Sequence, residues 1–319
     1  MINRVRINNG FGESLIIDLP QTEPTHGLFI TEIEGLGPVK ADLKMSEAAT
    51  RHGSSFNSWR ANSRDIIFHV RYLDTDKATA EEARLTTYRF FPLGEEITIY
   101  IRTENRYVKT TGYVQTNEPD IFSEKAGATI TVTCPSPWFT LVGSAKKTDT
   151  HEFSNMLKSF EFEFDDEPTP SLIFTSVEPK KAHTFLYDGE VSTGIVLSIK
   201  SHDDGFYGHP IIYNNDTREK IVIDTDKIEK LINPYWDPST GVHEVGRGDE
   251  IRISSVTGNK YARYYDCDGN APVNILSFLD LNVDWFTIHP GYNTFSYECT
   301  FGEFDVDITI SAPILLQGV

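Results

Sequence analysis

Histidine, cysteine and carboxylate positions decide what chemistry this sequence could do. Its nine histidines stand at 26, 52, 69, 151, 183, 202, 209, 243 and 289. Only His202 and His209 are near each other, with Asp203 and Asp204 between them. Zinc sites use tighter spacings such as H-x3-H or C-x2-C, and none is present. The run from His202 to Gly205 therefore reads as a polar turn. Asp266-Cys-Asp268-Gly269-Asn270 looks like a fragment of a calcium loop. An EF-hand needs Gly at its sixth position and Glu at its twelfth. Ala271 and Ser277 hold those places here, so the Asp-Gly pair reads as a hairpin turn.

Nucleophilic and phosphate chemistry find no better footing. There is no G-x-S-x-G elbow, and none of Cys134, Cys267 and Cys299 is directly flanked by a basic residue that would lower its pKa. Cys134 and Cys299 lie in apolar alternation and are expected in a core. Glycoside hydrolysis needs two carboxylates across a cleft. Among 47 acidic residues such a pair can always be chosen, so it carries no weight. Gly10-Phe-Gly12 and Gly35-Leu-Gly37 are bare G-x-G fragments without a following Lys-Ser/Thr. Trp236, Tyr261, Tyr264 and Tyr265 are candidates for stacking on sugar rings, against the plainer alternative of cross-strand packing. No catalytic, metal-ligating or cofactor-binding residue is assigned, and no cofactor is expected.

The elements that would position these residues are mostly strands. Ile97, Ile99 and Ile101 alternate with polar or aromatic residues, as do Ile130, Val132 and Cys134, then Phe160, Phe162 and Phe164, then Phe304, Val306, Ile308 and Ile310. Period-two alternation predicts strands with one buried and one wet face. Turn signals punctuate them at Leu93-Gly94, Asn117-Glu118-Pro119, Asp203-Asp204-Gly205, Thr257-Gly258-Asn259, Asp268-Gly269-Asn270 and Pro290-Gly291. This spacing predicts sandwiches or barrels. Thr79-Ala-Glu-Glu82 has the spacing of a capping box, which predicts a helix to about Phe91, stopped by Pro92 and Gly94. A second, shorter helix is expected over Thr225 to Leu231. The polar stretch after Gly143 suggests a boundary that divides the chain into 1–145 and 146–319, with the last strand free to return to the first domain.

Composition narrows the classes further. The chain has 319 residues, 29 Lys and Arg against 47 Asp and Glu, and a net charge of −18. That balance disfavours a nucleic-acid binder or docking on an anionic membrane. No run of about 18 apolar residues predicts a transmembrane helix, and no membrane insertion is expected. Three sparse cysteines are not a disulfide framework, and MINRVRINNGFG lacks an apolar stretch of signal-peptide length, so a reducing cytosol is the expected folding compartment.

Stretches in both halves resemble the distal tail proteins of long non-contractile-tailed bacteriophages. The first half carries Phe29-Ile-Thr-Glu-Ile-Glu-Gly35-Leu-Gly37-Pro38, Arg64-Asp-Ile-Ile-Phe68, the helix with Arg84-Leu85, Arg106-Tyr-Val-Lys-Thr-Thr-Gly112-Tyr-Val114, and Ile130-Thr-Val-Thr-Cys134-Pro-Ser-Pro-Trp-Phe139. In the last of these, Pro-Ser replaces an expected acidic position. The second half follows the family's order through Phe185-Leu-Tyr-Asp-Gly-Glu190, Thr193-Gly194, Pro210-Ile-Ile-Tyr-Asn214, Gly248-Asp-Glu-Ile-Arg-Ile253, Thr257-Gly-Asn-Lys260, Trp285-Phe286 and Pro290-Gly-Tyr-Asn293. Leu231 to Val245 is longer and more polar than the pattern, as an extra loop would be.

The resemblance implies a mainly β structural protein without catalytic activity. It implies an N-terminal β split barrel with one helix, which builds a homohexameric ring or two stacked rings, and a C-terminal galectin-like β-sandwich. The implied partners are other copies of the chain, the tail tube protein, the tail-associated hub protein and receptor-binding or accessory baseplate proteins. DNA would pass through the lumen without specific binding. The implied location is the virion tail tip, with assembly in the host cytoplasm. Gly35, Gly37, Pro38, Arg64, Arg106, Gly291 and Asn293 are the positions that carry the pattern, with structural roles expected. Two other readings compete: a carbohydrate-binding module that holds a host surface glycan, and a cell-wall hydrolase that no motif supports.

Overall fold

In the computed structural model the described residues are 1–19, 27–47, 49–50, 52–120, 126–142, 148–154, 182–203, 205–232, 246, 248–268, 270–280, 283–303 and 305–319. The expected strand at 160–164, Phe304, Gly269 and most of the loop at 231–245 lie outside them. The chain divides into two compact units, Met1–Lys147 with Leu315–Val319, and Thr148–Ile314.

The first unit contains β1 (Ile2–Asn9), β2 (Ser14–Ile17), β3 (Leu28–Glu34), β4 (Ala41–Glu47), β5 (Ser54–Ala61), β6 (Arg64–Tyr72), α1 (Ala80–Phe90), β7 (Glu96–Thr103), β8 (Tyr107–Asp120), β9 (Gly127–Cys134) and β10 (Phe139–Leu141). Its main sheet runs β2-β1-β7-β8-β9-β6-β3, antiparallel throughout. Alternation in β1, β6, β7 and β9 buries Val5, Ile7, Ile66, Phe68, Ile97, Ile99, Ile130 and Val132 on one face. Each such side chain contributes roughly 1.5–3 kcal/mol on leaving water. The two edge strands meet at one end. Asp18 N–H donates to Leu28 O (3.3 Å) and Ile30 N–H donates to Asp18 O (3.0 Å). A sheet whose opposite edges touch must curl, so this one forms a barrel closed at that end and open along the rest of the seam.

Helix α1 begins where its capping box sets it. The Thr79 hydroxyl accepts from Glu82 N–H (3.2 Å), and the Glu82 carboxylate accepts from Thr79 N–H (2.8 Å). Ala83, Thr87 and Phe90 point inward, and Phe91 packs on Phe68 with ring centroids 5.7 Å apart. One expected turn is absent: Asn117-Glu118-Pro119 lies inside β8, with Pro119 opposite Ala128. Val114 still bonds to Gly94 and Glu95, but beyond it β8 has left β7 behind, and among the described residues no strand pairs with that edge, so a residue without an N–H breaks no ladder there.

The second unit contains β11 (Thr148–Ser154), β12 (Ala182–Tyr187), β13 (Thr193–Gly194), β14 (Val196–Ser201), β15 (Ile211–Asn214), β16 (Glu219–Val222), α2 (Thr225–Ile232), β17 (Glu250–Ser254), β18 (Tyr261–Tyr265), β19 (Val273–Asn274), β20 (Thr287–Ile288), β21 (Gly291–Glu298) and β22 (Val306–Pro313). One sheet runs β11-β22-β14-β17-β18-β19 and another β12-β21-β15-β16, with β13 and β20 paired apart. Leu197, Ile199, Ile251, Ile253, Ile308 and Ile310 are buried from the first sheet, and Phe185, Tyr187, Ile212, Phe295 and Tyr297 from the second. Phe295 stacks on Phe185 (5.9 Å) and meets Phe286 edge-on (5.6 Å). Two sheets, each wet on one face, around an aromatic centre is the two-layer solution open to alternating strands. The chain then ends in β23 (Leu315–Leu316), which pairs with β10 of the first unit.

Candidate functional site

Arg64 is the most constrained of the pattern residues. It opens β6 and is 1% exposed. Its Nε donates to Pro137 O (2.9 Å), Nη1 to Gly35 O (2.5 Å) and Gly37 O (2.8 Å), and Nη2 to Gln317 O (2.6 Å). The guanidinium lies over the Phe139 ring at 4.2 Å. Burial pushes its pKa down from the ordinary arginine value. All four hydrogen-bond acceptors are backbone carbonyls. The planar fork therefore ties the Gly35–Gly37 turn, the loop before β10 and the end of the chain to one point.

The neighbouring pattern residues serve the same node. Gly35 has φ +81°, and a Cβ there would collide with the Asp65 carbonyl. Pro38 follows Gly37 directly and leads the chain out of that turn. Val319 N–H donates to Leu36 O (3.1 Å), and Arg106 Nη1 donates to Gly318 O (3.0 Å). In the second unit, Asn293 is buried and pins the β20–β21 turn. Its Nδ2 donates to His289 O (2.8 Å) and Gly291 O (3.0 Å), while its Oδ1 accepts from His289 N–H. Gly291 supplies the left-handed residue there (φ +101°). These arrangements shape backbone and present no reactive atom.

The aromatic candidates separate. Tyr264 is buried, and its hydroxyl donates to Asp249 Oδ2 (2.6 Å). Burial and that carboxylate hold the phenol well above the usual tyrosine range. It cannot contact a sugar, which corrects the expectation for this residue: β18 alternates, and 264 falls on its inward face. Tyr261 and Tyr265 lie on the opposite face with Arg263 between them. Arg263 covers the Tyr261 ring (4.8 Å), and Arg252 of the adjacent strand covers Tyr265 (4.6 Å). Trp236 lies outside the described residues.

The ionisable groups form two clusters among the described residues. Donor atoms of His209, Asp224 and Asp226 lie within 4.8 Å of one another, as do those of Asp249, Asp266 and Cys267. In the first, Lys227 Nζ already pairs with Asp224 (3.0 Å). In the second, Asp249 accepts from Tyr264 Oη, Cys267 N–H (3.0 Å) and Gly246 N–H (3.3 Å). Desolvation and the Asp249 charge push the Cys267 thiol up. Cys299 is pushed up to about 12, chiefly by burial. His202 does not join His209, since its Nε2 pairs with Asp307 (3.1 Å). Among the described residues these contacts build no nucleophile–base–orienter chain.

The feature that sequence reading missed is the hairpin β4–β5. It pairs only with itself among the described residues. A bulge at Asn57 lets Phe56 and Trp59 share one face, opposite Met45 and Leu43. All four side chains are more than half exposed. The Leu43–Met45 alternation was its readable signal, but the three-residue spacing of Phe56 and Trp59 disguised the second strand.

No protein-family model matches the sequence, and no curated protein matches it. Solved structures do. The fold is similar to that of the Dit protein (gp 19.1) of phage SPP1, described as a paradigm of the hub adsorption apparatus in phages that infect Gram-positive hosts. The identity is 10%, the match covers 97% of this chain and 98% of that one, and the TM-score is 0.61. Baseplate structures of phage p2 in its activated conformation, with Sr and with Ca, match at 11% and 10% identity over 97% and 98% of this chain. Their TM-scores of 0.46 are too low to carry a fold assignment.

Proposed function

We propose that this chain is a distal tail protein, the structural hub that joins a phage tail tube to its tip. One observation carries the reading: the Dit fold is matched across both units, over nearly all of each chain, although only one residue in ten is shared. A fold kept at that identity shares its architecture and little surface chemistry. The role that goes with it is geometric.

In this reading the first unit is the ring-forming split barrel and the second a galectin-like sandwich that faces outward. Six copies close into a ring, or twelve into two stacked rings, between the tail tube protein and the tail-associated hub protein, and carry receptor-binding or accessory proteins. A ring needs a heterologous contact that closes, and a barrel with an open seam leaves strand edges for it. A charge of −18 per subunit suits a conduit that must not hold DNA. The site geometry adds support for a non-enzymatic role, since the pattern residues hold backbone and members of each ionisable cluster are bonded to their own neighbours. The protein would be assembled in the host cytoplasm and reside at the tail tip. Light scattering and negative-stain imaging of the purified protein test this reading, with rings of six or twelve subunits expected.

A second reading has one observation of its own. Tyr261, Arg263 and Tyr265 form an aromatic and cationic row on the outer face of β18, a surface suited to a host glycan. Calorimetry of the whole protein against host wall polysaccharides tests it. Binding lost in Tyr261→Ala would support it, and no heat with any polysaccharide would remove it.

A further inference from the structure

We infer that the cleft beside the β7–β8 turn is a binding site for a small phosphorylated sugar, with Arg102 and Arg106 holding the phosphate. This site goes beyond the structural role proposed above and does not depend on it.

The cleft has a volume of about 520 Å³ and lies wholly in the first unit. Arg102, Asn105 and Arg106 supply polar lining, and Tyr107, Leu141 and Val142 apolar lining. Short-range bonds fix its frame. Thr103 N–H donates to Arg106 O (2.8 Å) across the turn, and Val142 N–H donates to Tyr107 O (2.6 Å). Arg106 is positioned from the far end of the chain, where Gly318 O accepts from its Nη1 (3.0 Å). Glu104, the one carboxylate among the lining residues, pairs with the amino terminus of Met1 (3.6 Å).

Arg102 and Tyr107 also belong to a cationic face. Alternation in β1, β7 and β8 buries Val5, Ile7, Ile99, Ile101 and Val108. That leaves Arg4, Arg6, Tyr100, Arg102, Tyr107 and Lys109 on the outer side. Arg4, Arg102 and Tyr107 form one cross-strand row, and Arg6, Tyr100 and Lys109 form the next. Among the described residues the side chains of Arg4, Arg102 and Lys109 make no hydrogen bond or ion pair, and Arg6 Nε is buried without a partner. Like charges directly opposite on neighbouring strands destabilise a sheet, and Arg4 faces Arg102. The chain has 47 carboxylates and a net charge of −18, yet this repulsion is left standing. An anion seated among the guanidinium groups removes it.

The lining selects the kind of anion. Guanidinium forks match the oxygens of phosphate, and a phosphate monoester brings close to two negative charges where a carboxylate brings one. The volume is larger than a bare phosphate needs and falls within the range of about 300–1,000 Å³ that small-molecule sites occupy. Tyr107, Leu141 and Val142 offer a sugar ring an apolar wall, and the Asn105 amide offers its hydroxyls a donor and an acceptor. Single-stranded nucleic acid fits less well. Successive bases need free aromatic faces, whereas Arg6 covers the Tyr100 ring (4.1 Å). A long polyanion would also meet the acidic remainder of the surface.

Calorimetry of the full chain at low salt tests this site, with glucose 6-phosphate, glucose, inorganic phosphate, glucuronate and a short oligothymidylate as probes. The wild type is expected to bind glucose 6-phosphate at least about tenfold more tightly than any other probe. Arg102 is exposed, so Arg102→Gln is expected to fold, with its thermal midpoint as the check, and to weaken glucose 6-phosphate at least about tenfold. Tyr107→Leu keeps an apolar wall without the ring, and is expected to bring glucose 6-phosphate towards the affinity of inorganic phosphate. Lys44→Gln removes an equal charge from exposed strand β4 of the same unit, and is expected to change nothing. No heat with glucose 6-phosphate, unchanged binding in Arg102→Gln or an equal loss in Lys44→Gln would overturn the assignment. Inorganic phosphate or glucuronate bound as tightly as the sugar phosphate would overturn it too. Tighter binding of the oligothymidylate would give the face to single-stranded nucleic acid instead.

Discussion

The guanidinium of Arg64 and the backbone carbonyl of Gln317 meet at 2.6 Å, across 253 positions of sequence. This bond holds the returning end of the chain against the strand that opens beside the Gly35 turn. It is one of four donations from a single buried cation to carbonyls of separate segments. A buried charge is tolerated only when its donors are met, so the node is sensitive to any change of donor geometry.

Lysine at position 64 keeps the charge but loses the planar fork. Arg64→Lys is expected to lower unfolding stability by about 2–4 kcal/mol, and Arg64→Ala by up to about 5 kcal/mol, because carbonyls are left unmet in a dry site. Urea denaturation of both variants measures this. A loss below about 1 kcal/mol for Arg64→Ala would show that water fills the site without cost.

The two glycines of the turn should behave differently. Gly35→Ala places a Cβ in the left-handed region and against the Asp65 carbonyl, and is expected to cost more than about 2 kcal/mol or to prevent soluble expression. At Gly37 a Cβ meets nothing within 4 Å. Gly37→Ala is expected to stay within about 1 kcal/mol of the wild type. Thermal midpoints of the pair provide the comparison.

Acid sensitivity has an identifiable source in Glu250. Burial raises its pKa, but hydrogen bonds from Arg252 and Ser198 outweigh that, and the folded value lies below the ordinary 4.5. A carboxyl with a depressed folded pKa contributes stability that is present above the unfolded value and lost as the pH falls through the folded one. The thermal midpoint is therefore expected to drop between about pH 6 and about pH 3, with a shallower drop in Glu250→Gln. Identical pH profiles for the two proteins would contradict this.

Tyr207 offers a stabilising change. Its side chain is fully buried, and its hydroxyl has no hydrogen-bond partner among the described residues. Burial lifts its pKa far above the usual tyrosine range. Removing a buried, unmet hydroxyl without changing shape is neutral or favourable. Tyr207→Phe is expected to leave stability unchanged or raise it by about 1–2 kcal/mol, as read by denaturant midpoint. A clear loss would point to a bound water at the hydroxyl.

Local rules were the most legible part of this chain. The capping box at Thr79–Glu82 set the start of α1, and apolar alternation marked β7 and β9, because those signals depend on residues three or two apart. Signals that depend on a partner strand were not readable. Pro119 looked like a turn because nothing local revealed that β8 outruns β7. Phe56 and Trp59 did not look like one face because a bulge changes the parity between them. Tyr264 and Tyr265 looked alike, although adjacent residues in a strand must part to opposite faces. Arg64 stood out as part of a pattern, but its acceptors at 35, 37, 137 and 317 are joined only by the fold.

The mass of the purified protein in solution, read by light scattering with negative-stain images of the same peak, tests the central claim most directly. A ring outline with the mass of six or twelve subunits is the predicted result. A monomer that persists at high concentration and in the presence of tail tube would contradict it.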